Sequence, residues 1–195
     1  MRRKVVPRHK IEKFIILFSL MIFCNSSFAM QGQLAVKGGT WSFATENVGE
    51  ADGSASGVGA YAVEVGYRIS PSWLINFGVN LIFSDLYSGS AGYGFDLGGK
   101  YFFLSASGTE TFSQNSSEII IKEKWRPYIG GFIRQRLFGL NQSTSYMGPG
   151  VSVGLDYSLQ NHWLITAEFR YDYLYGQGDA LAIQNNILLG IGLEF

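Results

Sequence analysis

Twelve charged residues stand at alternating positions in runs that are otherwise small or polar: Lys37, Glu64, Arg68, Asp96, Lys100, Arg134, Arg136, Asp156, Glu168, Arg170, Asp172 and Glu194. Six are acidic and six basic. Two chemistries suit such a set. A carboxylate pair could do acid and base work, or the charges could line a polar path for ions. The plainer reading is a plug in which opposite charges neutralise one another, since buried ions persist when paired. Other catalytic constellations are scarce. Beyond the first 29 residues there is one histidine, His162, in a predicted turn beside Trp163, and no cysteine. A nucleophile with its base is therefore lacking, and so are His/Cys metal ligands. No cofactor is implied.

These charges have to be positioned by a scaffold, and residues 1–29 are no part of it. Arg2, Arg3, Lys4, Arg8, Lys10 and Lys13 precede an apolar run from Phe14 to Cys24, and Ser27-Phe28-Ala29 follows with small residues at −3 and −1. That is the pattern of a cleaved export signal. The run is too short to span a bilayer as a helix. Cys24 raises lipoprotein processing, but Phe23 stands where a small residue is needed. Residues 30–195 then form one domain with 9 Lys+Arg against 14 Asp+Glu, an acidic balance that argues against a nucleic-acid partner.

The domain shows two-residue alternation instead of helical periodicity, so it reads as all-β. Trp73, Ile75, Phe77, Val79, Leu81 and Phe83 share one face, and Asn76, Gly78 and Asn80 the other. The same split separates Tyr61, Val63, Val65, Tyr67 and Ile69 from Glu64 and Arg68, and Tyr93, Phe95 and Leu97 from Asp96 and Lys100. It returns in segments 151–159, 163–173 and 187–195. Two further strands, Gln33 to Phe43 and Trp125 to Phe138, bring the count to eight. In the first, Leu34 and Val36 lie in one phase and Trp41 and Phe43 in the other, which predicts a bulge at Gly38-Gly39. In the second, Arg134 and Arg136 inward make Ile129, Ile133 and Leu137 lipid-facing and turn Tyr128 and Phe132 inward.

Strands this long suit a bilayer crossing better than a soluble sandwich. An eight-stranded barrel has an interior that side chains just fill, so about thirty large apolar groups would not fit inside it. The apolar face must meet lipid, and the charges must point inward. The fold expected is a transmembrane antiparallel up-and-down β-barrel of eight strands. Trp73, Trp125 and Trp163 each open a strand at one rim, next to two short turns, which marks that rim as periplasmic. The segment Ser105 to Lys124 is long for such a turn, and Glu118-Ile119-Ile120-Ile121 suggests an extension of strands four and five beyond the membrane. The opposite connections, Ala44 to Gly57, Asp85 to Gly92, Gly139 to Tyr146 and Gly176 to Ile183, carry few aromatic anchors, so a surface ligand is left open.

The domain resembles the small eight-stranded outer-membrane barrels typified by the OmpA membrane domain, OmpX and the opacity proteins. Ile187-Leu188-Leu189-Gly190-Ile191-Gly192-Leu193-Glu194-Phe195 looks like the aromatic-ended signal, closing on Phe195, that barrel assembly machinery reads, and Trp125-Arg126-Pro127-Tyr128 is similar to a fifth-strand opening of that group. The resemblance implies residence in the bacterial outer membrane, with outer-membrane lipid and the assembly machinery as partners. It specifies no activity, and no peptidoglycan-binding domain follows strand eight. Lipid A deacylase barrels carry a His-x-Ser pair on a late strand, where this chain reads Phe169-Arg170-Tyr171-Asp172-Tyr173. Gly57-Val58-Gly59 imitates a dinucleotide loop but enters a strand. Gly39-Thr40-Trp41 is similar to a lipocalin first strand, which keeps a soluble carrier among the alternatives. The expected role is structural or surface-interacting without catalysis, with a narrow channel and a lipid-modifying enzyme as rivals.

Overall fold

Period-two patterning of this length leaves the backbone one way to satisfy its hydrogen bonds without exposed edges, which is closure into a barrel. A computed structural model of the chain describes residues 32–46, 53–83, 91–104, 110–114, 117–121, 124–138, 144–159, 162–177 and 180–195. Residues 1–31, which include the expected export signal, and the tips of the four connections opposite the tryptophan rim lie outside the described residues. The strands are β1 (Gly32–Glu46), β2 (Gly53–Ser70), β3 (Trp73–Phe83), β4 (Ala91–Phe102), β5 (Glu110–Gln114), β6 (Ser117–Ile121), β7 (Trp125–Phe138), β8 (Thr144–Ser158), β9 (Trp163–Tyr175) and β10 (Leu181–Glu194).

Eight of them form a closed antiparallel barrel in the order β1-β10-β9-β8-β7-β4-β3-β2, and β5 and β6 form a separate two-stranded sheet. Following paired residues once around the wall leads from Gln33 through Gly66, Asn76, Gly98, Phe132, Gly150, Asp172 and Gln184 to Phe43, ten residues further along β1. Eight strands with that stagger tilt by about 40°. The eleven residues of β3 then rise about 25 Å, the height of the apolar band of an outer-membrane barrel. The outer wall is apolar throughout that height, and β3 alternates strictly between exposed and buried positions. Trp73, Trp125 and Trp163 are all exposed at one rim, where Trp73 packs on Tyr101 and Trp125 on Tyr157, at ring separations of 5.1 and 4.5 Å.

Three expectations need correction. β1 keeps one phase: Ala35, Lys37, Trp41 and Phe43 are all buried, and its register with β10 runs without a break. The extra residue is Gly59 on β2, skipped between the pairs Gly39↔Ala60 and Thr40↔Val58, and its φ of 122° suits glycine. Trp41 is stable inside because its Nε1 donates to the Phe83 carbonyl at 3.1 Å, beside side-chain-free Gly57. Second, residues 110–121 do not extend the barrel ladder. Phe103 N–H donates to the Pro127 carbonyl at 3.1 Å, but Pro127 has no N–H to return, and the connection folds as its own hairpin. Third, the connections opposite the tryptophan rim are shorter than expected, because pairs such as Thr45↔Gly53 and Phe138↔Thr144 carry the ladders into Gly/Ser-rich sequence.

Candidate functional site: an ion-pair network inside the barrel

A lumen this narrow can hold long charged side chains only where the facing positions are nearly empty. The register supplies this. Lys37 lies opposite Gly190, Glu64 and Asp96 both opposite Gly78, Lys100 opposite Gly130, Arg134 opposite Gly148, Arg136 opposite Gly94, Glu168 opposite Gly154 and Asp172 opposite Gly150. Lys37, Glu64, Asp96, Arg136 and Asp172 lean into the space their glycine neighbours leave, Arg134 leans over Gly150, and Tyr128 occupies the space at Gly154.

The structure places all twelve charges inside the lumen and brings nine of them into one group. Glu64 accepts from Lys37 at 2.9 Å, Lys100 at 2.8 Å and Asn76 at 3.0 Å, and its other oxygen accepts from Arg170. Glu168 accepts from Lys37, from Arg170 at 3.0 Å and from the Tyr128 hydroxyl at 2.9 Å. Asp96 accepts from Arg136 at 2.6 Å and Arg170 at 3.0 Å, and Asp172 pairs with Arg134 and Arg136. Nearer the tryptophan rim a second group forms, in which Glu194 accepts from Arg68 at 3.3 Å and Arg126 at 2.7 Å, and Asp156 accepts from Gln33 at 3.2 Å.

Arg126 was not among the charges expected inside. It opens β7 between Trp125 and Pro127, where alternation has too few residues to set a phase. Its parity with Arg134 and Arg136 on the same strand was the available signal. The apolar contents of the lumen were also underestimated. At the rim opposite the tryptophans, Trp41, Phe43, Ile82, Tyr146, Leu174 and Leu188 belong to a buried cluster with small alanines, and at the tryptophan end Leu74, Phe102 and Tyr128 form another. Arg68 lies over the Phe102 ring at 4.8 Å and Lys100 over Tyr128 at 4.8 Å, so apolar and charged layers interlock.

This geometry suits neutralisation better than proton transfer. Every carboxylate of the central group faces at least two cations, and its positions are buried between the two apolar clusters. His162 is exposed at the tryptophan rim with φ 69°, and its carbonyl accepts from the Glu194 N–H at 2.8 Å. Arg170 and Asp172 point inward while Phe169 and Tyr171 face outward. Among the described residues no group of three or more His, Cys, Asp or Glu has metal-ligand geometry. Phe195 is exposed and closes the β1–β10 seam by exchanging backbone bonds with Gly32 at 2.6 and 3.0 Å.

A closed, all-antiparallel barrel of eight strands, apolar outside and charged within, defines the class of small outer-membrane β-barrels. Solved structures agree on the fold. The chain is similar to the Neisserial surface protein A, NspA, with 15% identity and a TM-score of 0.53 over 84% of this chain and 97% of that one. It is similar to the N-terminal β-barrel domain of Pseudomonas aeruginosa OprF, with 14% identity and a TM-score of 0.52 over 86% of this chain and all of that one. No protein-family model and no curated protein matches the sequence.

Proposed function

We propose that this chain resides in the bacterial outer membrane as a sealed barrel with a structural or surface-interaction role and no catalysis. The tryptophan rim faces the periplasm, the Phe195 end serves as the assembly signal, and any ligand is met by the four connections at the opposite rim. One observation carries the reading: a buried ion-pair network lies in the lumen between two buried apolar clusters. An open pore would need a continuous hydrated path, and a carrier would need an apolar cavity; the large apolar side chains are instead mostly on the outer wall. Single-channel recording of the purified barrel in planar bilayers tests it. The expected record stays at the bilayer leak, whereas steady unitary steps would make the protein a narrow channel. Lipid A mass spectra that change when the gene is removed would instead establish a lipid-modifying enzyme.

A further inference from the structure

The central ion-pair group does not balance. Lys37, Lys100, Arg134, Arg136 and Arg170 are met by Glu64, Asp96, Glu168 and Asp172, five cations against four carboxylates, whereas Arg68 and Arg126 near the tryptophan rim are matched by Glu194 and Asp156. An excess charge in a desolvated interior calls for a counter-charge. The buried polar atoms without a protein partner around this group indicate its sign. They include Arg134 Nε and Nη2, the Asn80 amide nitrogen and the Ser152 hydroxyl, all able to donate, whereas the unpartnered Asp156 Oδ1, Gln33 Oε1, Thr166 hydroxyl and Arg126 Nε and Nη2 lie nearer the tryptophan rim.

Shared neighbours link these donors. Arg134 uses Nη1 on Asp172, and its Nε stands 3.7 Å from an Asp96 oxygen, the same oxygen that Arg170 binds at 3.0 Å while donating to Asn80 Oδ1 at 2.8 Å. The guanidinium lies 4.7 Å over the Phe132 ring. The edge of that ring and the Ser152 hydroxyl converge on Gly130, each 2.5 Å from where a β-carbon would stand. Nε and Nη2 form the side-on edge of a guanidinium, two parallel N–H groups suited to gripping an anion.

We propose that Arg134, with Asn80 and Ser152, binds one small monovalent inorganic anion of the halide class inside the barrel, completing the neutralisation of the network. One unit of excess charge and the enclosure between apolar clusters favour a small, singly charged ion over a phosphate.

The test uses the purified full-length barrel with bromide as the probe. Heat-induced unfolding is followed by tryptophan fluorescence in sodium bromide and in sodium gluconate at equal ionic strength, and bromide-soaked crystals are measured at the bromine absorption edge. The expected results are a midpoint that rises saturably with bromide and an anomalous peak within hydrogen-bonding reach of Arg134 Nε and Nη2. Arg134→Gln should lose both, and Ser152→Ala, which keeps every charge and guards against a variant that fails to fold, should weaken the bromide dependence. Equal midpoints in the two salts, or bromide peaks confined to the outer surface, would overturn the proposal and mean that the excess is relieved by an amine giving up its proton.

Discussion

Glu64 gathers Lys37, Lys100, Arg170 and Asn76 around one buried carboxylate, so its loss would leave three buried cations to share Glu168, with Asp96 as a further partner of Arg170 alone. Breaking a buried pair from one side typically costs ~3–5 kcal/mol, because the remaining charge stays desolvated. Glu64→Gln is therefore expected to lower the unfolding free energy by about that amount in urea titration of the refolded barrel, and Glu168→Gln should behave alike. An exposed lipid-side change such as Leu189→Ile should be nearly silent in the same titration. The members of this network were legible in the sequence because each lies in phase with small residues on its strand. Their partners were not, since Glu64 and Arg170 stand 106 residues apart and meet only once closure brings β2 across from β9. Arg126 escaped for a different reason, its position at the first turn of a strand whose alternation had barely begun.

At the level of the strands, the β2 bulge is the feature most dependent on residue type. Gly59 has φ 122°, a backbone region nearly closed to residues with a β-carbon, and Gly59→Ala should cost roughly 1–3 kcal/mol, measurable as a lower midpoint of thermal unfolding. Gly154 on β8 tests the lumen from the wall: a β-carbon there would collide with the Tyr128 ring, so Gly154→Val should displace Tyr128 from Glu168 and yield less folded barrel on refolding. Alternation showed where β3, β8, β9 and β10 lie and which face each buries. It misled in β1, because the opposite phases of Leu34 and Val36 and of Trp41 and Phe43 predict a bulge at Gly38-Gly39, whereas the second pair is buried. Apolar side chains are also needed inside, at the end of the lumen where Gly57, Ala60, Ala62 and Ala182 leave room. The strand in 118–121 was anticipated but not its separation from the barrel, although Pro127, which lacks the N–H to continue the β4–β7 ladder, stands in the sequence.

In the molecule as a whole, a closed barrel turns its apolar wall outward, where lipid is expected to meet it. Val79 lies near the middle of β3 on the outer face. In a bilayer Val79→Arg should cost ~2–4 kcal/mol and reduce insertion into lipid vesicles, whereas on a water-exposed wall it would be harmless. The fold class was readable from strand length and from the impossibility of packing so much apolar volume into an eight-stranded interior, but the biological role was not, because the same wall and plug suit any barrel of this kind. The most direct test is electrophoresis of isolated outer membranes in detergent, with and without boiling. A closed ladder of hydrogen bonds should resist the detergent until heated, so the unboiled protein is expected in the outer-membrane fraction as a compact band that shifts on boiling. Recovery in the soluble periplasmic fraction, with one mobility at either temperature, would contradict the account.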